Sequence, residues 1–173
     1  MPTFVKIASV TVGSGGAANI SFTSIPSTYT DLCVKLSLRT TAAGVTDTPI
    51  MRFNGATNNT NLSTIRLMGN GSSASSSNPG AGLYLTRCPG SGATSSTFGN
   101  IDVYIPNYAG STTKSVSIDQ VSESNTTTVD GVTSLMAGLW ANTSAITGIT
   151  VLSDNANDFV QYSTATLYGI KNS

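Results

Sequence analysis

Histidine is absent from all 173 residues. Its absence removes Ser-His-Asp and Cys-His nucleophilic catalysis and the HExxH zinc motif together. Cysteine is nearly absent too. Cys33 and Cys88 lack CxxC spacing, and with no imidazole available they cannot build a four-ligand zinc site. They also lack the base that usually activates a thiol. A disulfide between them stays open, beside the reading of two small buried thiols.

Charge is scarce. Charged residues make up 9% of the chain, against about 25% in ordinary globular domains, and eight basic side chains balance eight acidic ones. They are scattered singly. No basic stripe exists to neutralise phosphates, so no nucleic-acid partner is expected. No polybasic patch and no run near the ~20 apolar residues of a span exist, so no membrane partner is expected. The N-terminus, MPTFVKIASV, lacks the charged and long apolar regions of a secretory signal, which leads us to expect synthesis in the cytoplasm.

Phosphate-binding and carboxylate motifs are missing or weak. The GSGG run at Gly13–Gly16 is not followed by GK[ST] and reads as a turn, so no cofactor is expected. Asp154 and Asp158 are the nearest carboxylate pair for glycoside hydrolysis. One turn-rich loop is a poor platform for two carboxylates with opposed roles, and no catalytic residue is assigned. Oxygens of Asp154, Asn155, Asn157 and Asp158 are a conceivable Ca²⁺ set, but their spacing is not that of an EF-hand, and the plainer reading is a capped loop tip. The sequons at Asn58, Asn125 and Asn142 are what a Ser/Thr-rich chain produces by chance. Trp140 and Tyr108 are the aromatics to watch, with packing at strand ends as the simpler role.

What the chain has in abundance is hydroxyl. Ser and Thr fill 51 positions. β-branched residues accompany them, so the chain does not have the composition of a disordered polymer. Thr suits a pleated surface, and Ser, Gly and Asn suit turns. The period of two is clearest over Asp31–Thr40, where Leu32, Val34, Leu36 and Leu38 share one face. Phe98–Ile105 and Lys114–Glu123 alternate likewise. Lys6–Val12, Asn19–Thr23, Ile50–Phe53, Leu83–Arg87 and Val132–Trp140 read as further strands, and Leu62–Met68 is mixed. Asn54-Gly55 is a tight-turn signal, and Asn125–Gly131 a second turn. Gly69–Gly82 reads as a loop. Ala145–Leu152 and Val160–Ile170 read as a hairpin-like pair around a polar tip, Ser153–Phe159. The expectation is an all-β fold, a jelly-roll-like antiparallel β-sandwich of about ten strands, with an N-terminal arm at 1–6 and a single domain at 7–173.

Several stretches together resemble a loose family of tailed-bacteriophage virion proteins. They are SIPSTYTDLCVKLSLRT (Ser24–Thr40), MRFNG (Met51–Gly55), IPNYAGSTTKSVSI (Ile105–Ile118), GLWANTSAITGITVL and the terminal STATLYGI. The resemblance covers most of Ser24–Ile170 and is least in Gly69–Gly82. It implies a non-enzymatic β-sandwich virion component, assembled as a homo-oligomer, often a homotrimer. Members of this type serve as head decoration (cement) proteins or as tips of tail fibres. A chain starting at Met1 with no long shaft favours decoration of the capsid surface, with the major capsid protein as partner. The N-terminal arm is the expected docking element, through Pro2, Thr3, Phe4 and Val5. The alternative is a tail-tip receptor-binding protein that recognises host glycan through the Gly69–Gly82 or Asp154–Asp158 loops.

Overall fold

The computed structural model describes residues 3–123 and 131–171, and among them there is no helix. Fourteen strands form: β1 (Thr3–Thr11), β2 (Asn19–Phe22), β3 (Asp31–Leu38), β4 (Thr46–Asp47), β5 (Pro49–Phe53), β6 (Leu62–Gly69), β7 (Ala74–Ser77), β8 (Leu83–Tyr84), β9 (Cys88–Pro89), β10 (Gly99–Ile105), β11 (Lys114–Ser122), β12 (Val132–Trp140), β13 (Ile149–Ser153) and β14 (Thr164–Lys171). Three of them are only two residues long, which leaves eleven substantial strands, near the expected number. The fold is an all-β antiparallel sandwich. Its large sheet runs β1-β14-β3-β10-β11-β12-β6-β7, its small sheet β2-β13-β5-β8, and β4 with β9 makes a separate ribbon.

The alternating strands became the middle of the large sheet. In β11 and β12 burial alternates strictly along all nine residues. Their inward residues, Val116, Ile118 and Met136 among them, meet Met51, Phe53 and Val151 of the small sheet. Burying one such side chain contributes roughly 1.5–3 kcal/mol. Gly138 sits where the layers come closest: a Cβ there would lie 2.2 Å from Leu83 Cδ1. Tyr29 packs over Gly169 in the same way, with its ring 2.2 Å from where a Cβ would stand.

The Asn54-Gly55 turn forms with positive φ at both residues, 53° and 71°, as a type I′ turn demands. It does not close a hairpin, because β5 and β6 belong to different sheets. The Asn54 side chain instead accepts the backbone N–H of Thr147 (2.8 Å) and donates to the Ala145 carbonyl (2.8 Å). Its amide group therefore ties the turn to the loop before β13.

Three expectations are corrected. The C-terminal pair is not a hairpin: β13 lies between β2 and β5 in the small sheet, while β14 lies between β1 and β3 in the large one. The chain crosses between layers through Phe159, fully buried and bonded through its backbone to Ala17. Phe159 belongs to the hydrophobic core between the sheets. The Gly69–Gly82 stretch contains β7, which pairs with β6 across a turn in which the Asn70 side chain accepts the N–H groups of Ser72 and Ser73. Every residue of β7 is exposed, so no hydrophobic period marks it. Finally, Thr3–Lys6 are not an arm ahead of the first strand. They are its beginning, with Phe4 opposite Ile170 and Lys6 opposite Tyr168, because β14 offers a free edge to pair with. Asn125–Asp130 of the expected second turn lie outside the described residues, as do Met1 and Pro2.

Candidate interaction face

The outward face of the large sheet can be followed in rows, because directly paired residues on neighbouring strands point to the same side. One row reads Tyr168, Cys33, Tyr104, Ser117, Ala137, Ile65 from β14 to β6. The next reads Thr166, Lys35, Asp102, Asp119, Leu135, Leu67, Ser76. Chemistry changes along each row. The β14–β3–β10 side is polar and internally paired, and the β12–β6 side is apolar and open.

On the paired side Lys35 Nζ lies 2.6 Å from Asp102 Oδ2. That hydrogen bond raises the lysine's pKa, and it offsets the repulsion between Asp102 and Asp119, which sit opposite each other on β10 and β11. Tyr104 donates its hydroxyl to Asp31 Oδ2 at 3.0 Å. Burial and that acceptor push its own pKa up. Cys33 sits between Tyr168 and Tyr104 and is only 7% exposed. Burial raises its thiol pKa, so at neutral pH it is a protonated, weak nucleophile. Both cysteines are free.

On the open side the exposed side chains are large. Ile65 is 62% exposed, Leu67 and Leu135 55% each and Leu139 39%, and Tyr104, across β11 on β10, is 40% exposed. Ile65, Leu67, Tyr104, Leu135 and Ala137 line a shallow open groove of about 550 Å³. Leu67 and Leu135 are direct cross-strand partners. Soluble monomers rarely leave such side chains contiguous, and a patch of this kind marks an interaction site. Its polar lining comes from serines, Tyr104 and Arg66, whose Nε donates to Ser77 Oγ at 2.8 Å, and the rest of the lining is apolar.

The expected docking residues lie at the far edge of the same sheet. Thr3, Phe4 and Val5 belong to β1; Phe4 is 55% exposed, and its ring meets Tyr168 edge-on at 6.2 Å between centroids. Pro2 lies outside the described residues. The Asp154–Asp158 loop is elsewhere, on the rim beside β4. Ser153 Oγ (2.8 Å) and the side-chain amides of Asn155 (3.1 Å) and Asn157 (3.2 Å) donate to the Asp47 carboxylate. Asp154 and Asp158 themselves are exposed. Among the described residues no group of three or more His, Cys, Asp or Glu side chains is placed to hold a metal.

Trp140 and Tyr108 are packing residues. Trp140 tilts against Phe53 with ring centroids 5.2 Å apart, and Tyr108 is fully buried with its hydroxyl on the Pro26 carbonyl. Beside Trp140 lies Lys114, 1% exposed. Its ammonium donates to the carbonyls of Gly110 and Thr112 (2.6 Å each), Ser144 (2.7 Å) and Thr143 (3.3 Å), and stands 5.7 Å from the Trp140 ring centroid. Arg39 acts alike, donating to the carbonyls of Thr94 (2.7 Å), Ala93 (3.1 Å) and Thr97 (3.1 Å). Two scarce cations are thus used as loop clamps.

The open apolar face escaped sequence reasoning. Its signal was there: VTSLMAGLW carries large apolar residues at both parities, which a strand facing water on one side does not need. No family model, no curated protein and no solved structure matches the chain.

Proposed function

We propose that this chain is a non-enzymatic phage virion structural protein, a capsid decoration (cement) protein that binds and stabilises the head shell as an oligomer. The observation that carries this reading is the open apolar face, a surface for protein association on a charge-poor sandwich. The resemblance of Ser24–Ile170 to tailed-phage virion proteins supplies the setting. A neutral, hydroxyl-rich exterior suits a protein crowded at high copy on a particle, since it neither repels its neighbours nor attracts nucleic acid.

Docking to the major capsid protein falls to Thr3, Phe4 and Val5, with Pro2 preceding them. Phe4 projects from the edge strand β1, where a partner can cover its ring and also pair with the strand. The experiment is the copy number of this chain per purified virion, by quantitative mass spectrometry against the major coat protein. Hundreds of copies are expected. A few tens or fewer would overturn decoration and move the chain to the tail, where glycan recognition becomes the reading to pursue. Phe4→Ser should weaken binding to empty shells about 10-fold or more while leaving the fold intact.

A further inference from the structure

We infer that the open apolar face is a self-association surface, occupied by a second copy of this chain in a two-fold, sheet-on-sheet dimer. The inference stands on the face alone and does not depend on the virion reading.

Area is the first argument. The exposed parts of Ile65, Leu67, Leu135 and Leu139 present on the order of 400 Å² of apolar surface. One side of a specific interface needs about 800 Å², with an apolar centre and a polar rim. The serines and threonines around this patch, Ser63, Ser76, Ser115, Ser117 and Thr133, supply such a rim. Two copies of the face therefore supply an apolar centre, about half of the area that one side needs, and the polar rim around it.

Charge placement is the second argument, and it selects the geometry. Sheets stacked face to face pack about 10 Å apart with their strands nearly aligned. A two-fold axis across the strands, run through the Leu67–Leu135 row, would set β11 over β11 and each Asp119 near its own copy. A two-fold axis along the strands, between β12 and β6, avoids this. It sets Leu135 over Leu67 of the second copy and Asp119 over its Ser76, with the Lys35–Asp102 pair left outside the contact. Carboxylates then face hydroxyls, and leucines face leucines.

Symmetry is the third. A two-fold contact uses the same patch on both copies, whereas a three-fold ring needs two different complementary surfaces on each. This face is one patch that complements itself, so it specifies a dimer and not the trimer that the family resemblance implies.

Sedimentation equilibrium across a micromolar series tests this. The expected mass is about 35 kDa, twice the 17.7 kDa chain. Leu135→Lys alone and Leu67→Glu alone should each weaken the dimer about 30-fold or more, with circular dichroism showing both still folded. Mixing the two variants should restore a dimer, because Lys at 135 of one copy then faces Glu at 67 of the other. A wild-type mass of 17.7 kDa or about 53 kDa overturns the inference. So do single variants that stay dimeric, or a mixture that stays monomeric. A monomeric wild type that binds empty shells through Leu135 would give the face to the coat protein, and would leave the decoration reading standing. A firm dimer at tail copy number would do the reverse.

Discussion

The two faces of β12 belong to one strand and have met different fates. Val132, Met136 and Trp140 point inward and are at most 6% exposed. Leu135 and Leu139 point outward at 55% and 39%. Their chemistry is similar; only the inner set has a second layer over it. The small sheet has four strands and the large one eight, so the smaller layer covers one side of the larger and nothing in the described residues covers the other. A sandwich with unequal sheets separates its tasks: the inner face supplies stability, and the outer face remains available for a partner.

Four substitutions sharpen that contrast. The largest effect is expected at Lys114, a buried cation of the inner wall. Lys114→Met leaves four carbonyls of two loops without their donor, and should cost about 4 kcal/mol in urea denaturation. A neutral result would mean that those loops hold without the clamp. Met136→Ala, on the inner face of β12, should cost about 3 kcal/mol by leaving a cavity between the sheets.

Asp47 comes next, at the rim. Burial alone would raise its pKa, but hydrogen bonds from Asn155, Ser153, Thr40 and the Thr48 amide outweigh it, and the folded-state value falls below the usual 3.8. As pH drops the unfolded chain therefore takes up the proton first. The stability contributed by this carboxylate is complete above pH 3.8 and is lost as pH falls through the folded value. Asp47→Asn should lower stability at pH 7 by about 1 kcal/mol and flatten the acid limb of the stability–pH curve. An unchanged acid limb would show that other carboxylates set it. The smallest effect belongs to the outer face. Leu135→Ala, measured at concentrations where the chain is monomeric, should change stability by no more than about 0.5 kcal/mol. A loss near that of Met136→Ala would erase the distinction between the faces.

Part of this architecture was legible in the residues. β3, β10 and β11 could be read because each turns every second side chain, an apolar one, into the core, so the sequence carries a period of two. The I′ turn at Asn54-Gly55 could be read because positive φ at consecutive positions restricts the residue choice. β7 could not, since a strand of exposed serines has no pattern to show. The beginning of β1 was hidden for a related reason: Thr3–Lys6 is exposed throughout, and only the edge of β14 makes it strand. Of the candidate site, Phe4 and Val5 were singled out as a docking element, while Ile65, Leu67 and Leu135 were not. Apolar residues at both parities of β6 and β12 read as interior until the second layer is counted.

Composition and local pattern by themselves determined an all-β chain without imidazole chemistry, poor in charge, with its central strands and its tightest turn in place. Those are properties of individual residues and of neighbours two or three apart. Which layer each strand joins was decided only in three dimensions. β13 and β14 are separated by ten residues yet lie in opposite sheets, with Phe159 buried between them, and each strand finds its partners among residues about a hundred or more positions away. The open face follows from the same cause. Whether an apolar side chain ends inside or outside depends on what the rest of the chain places over it, and no local signal carries that.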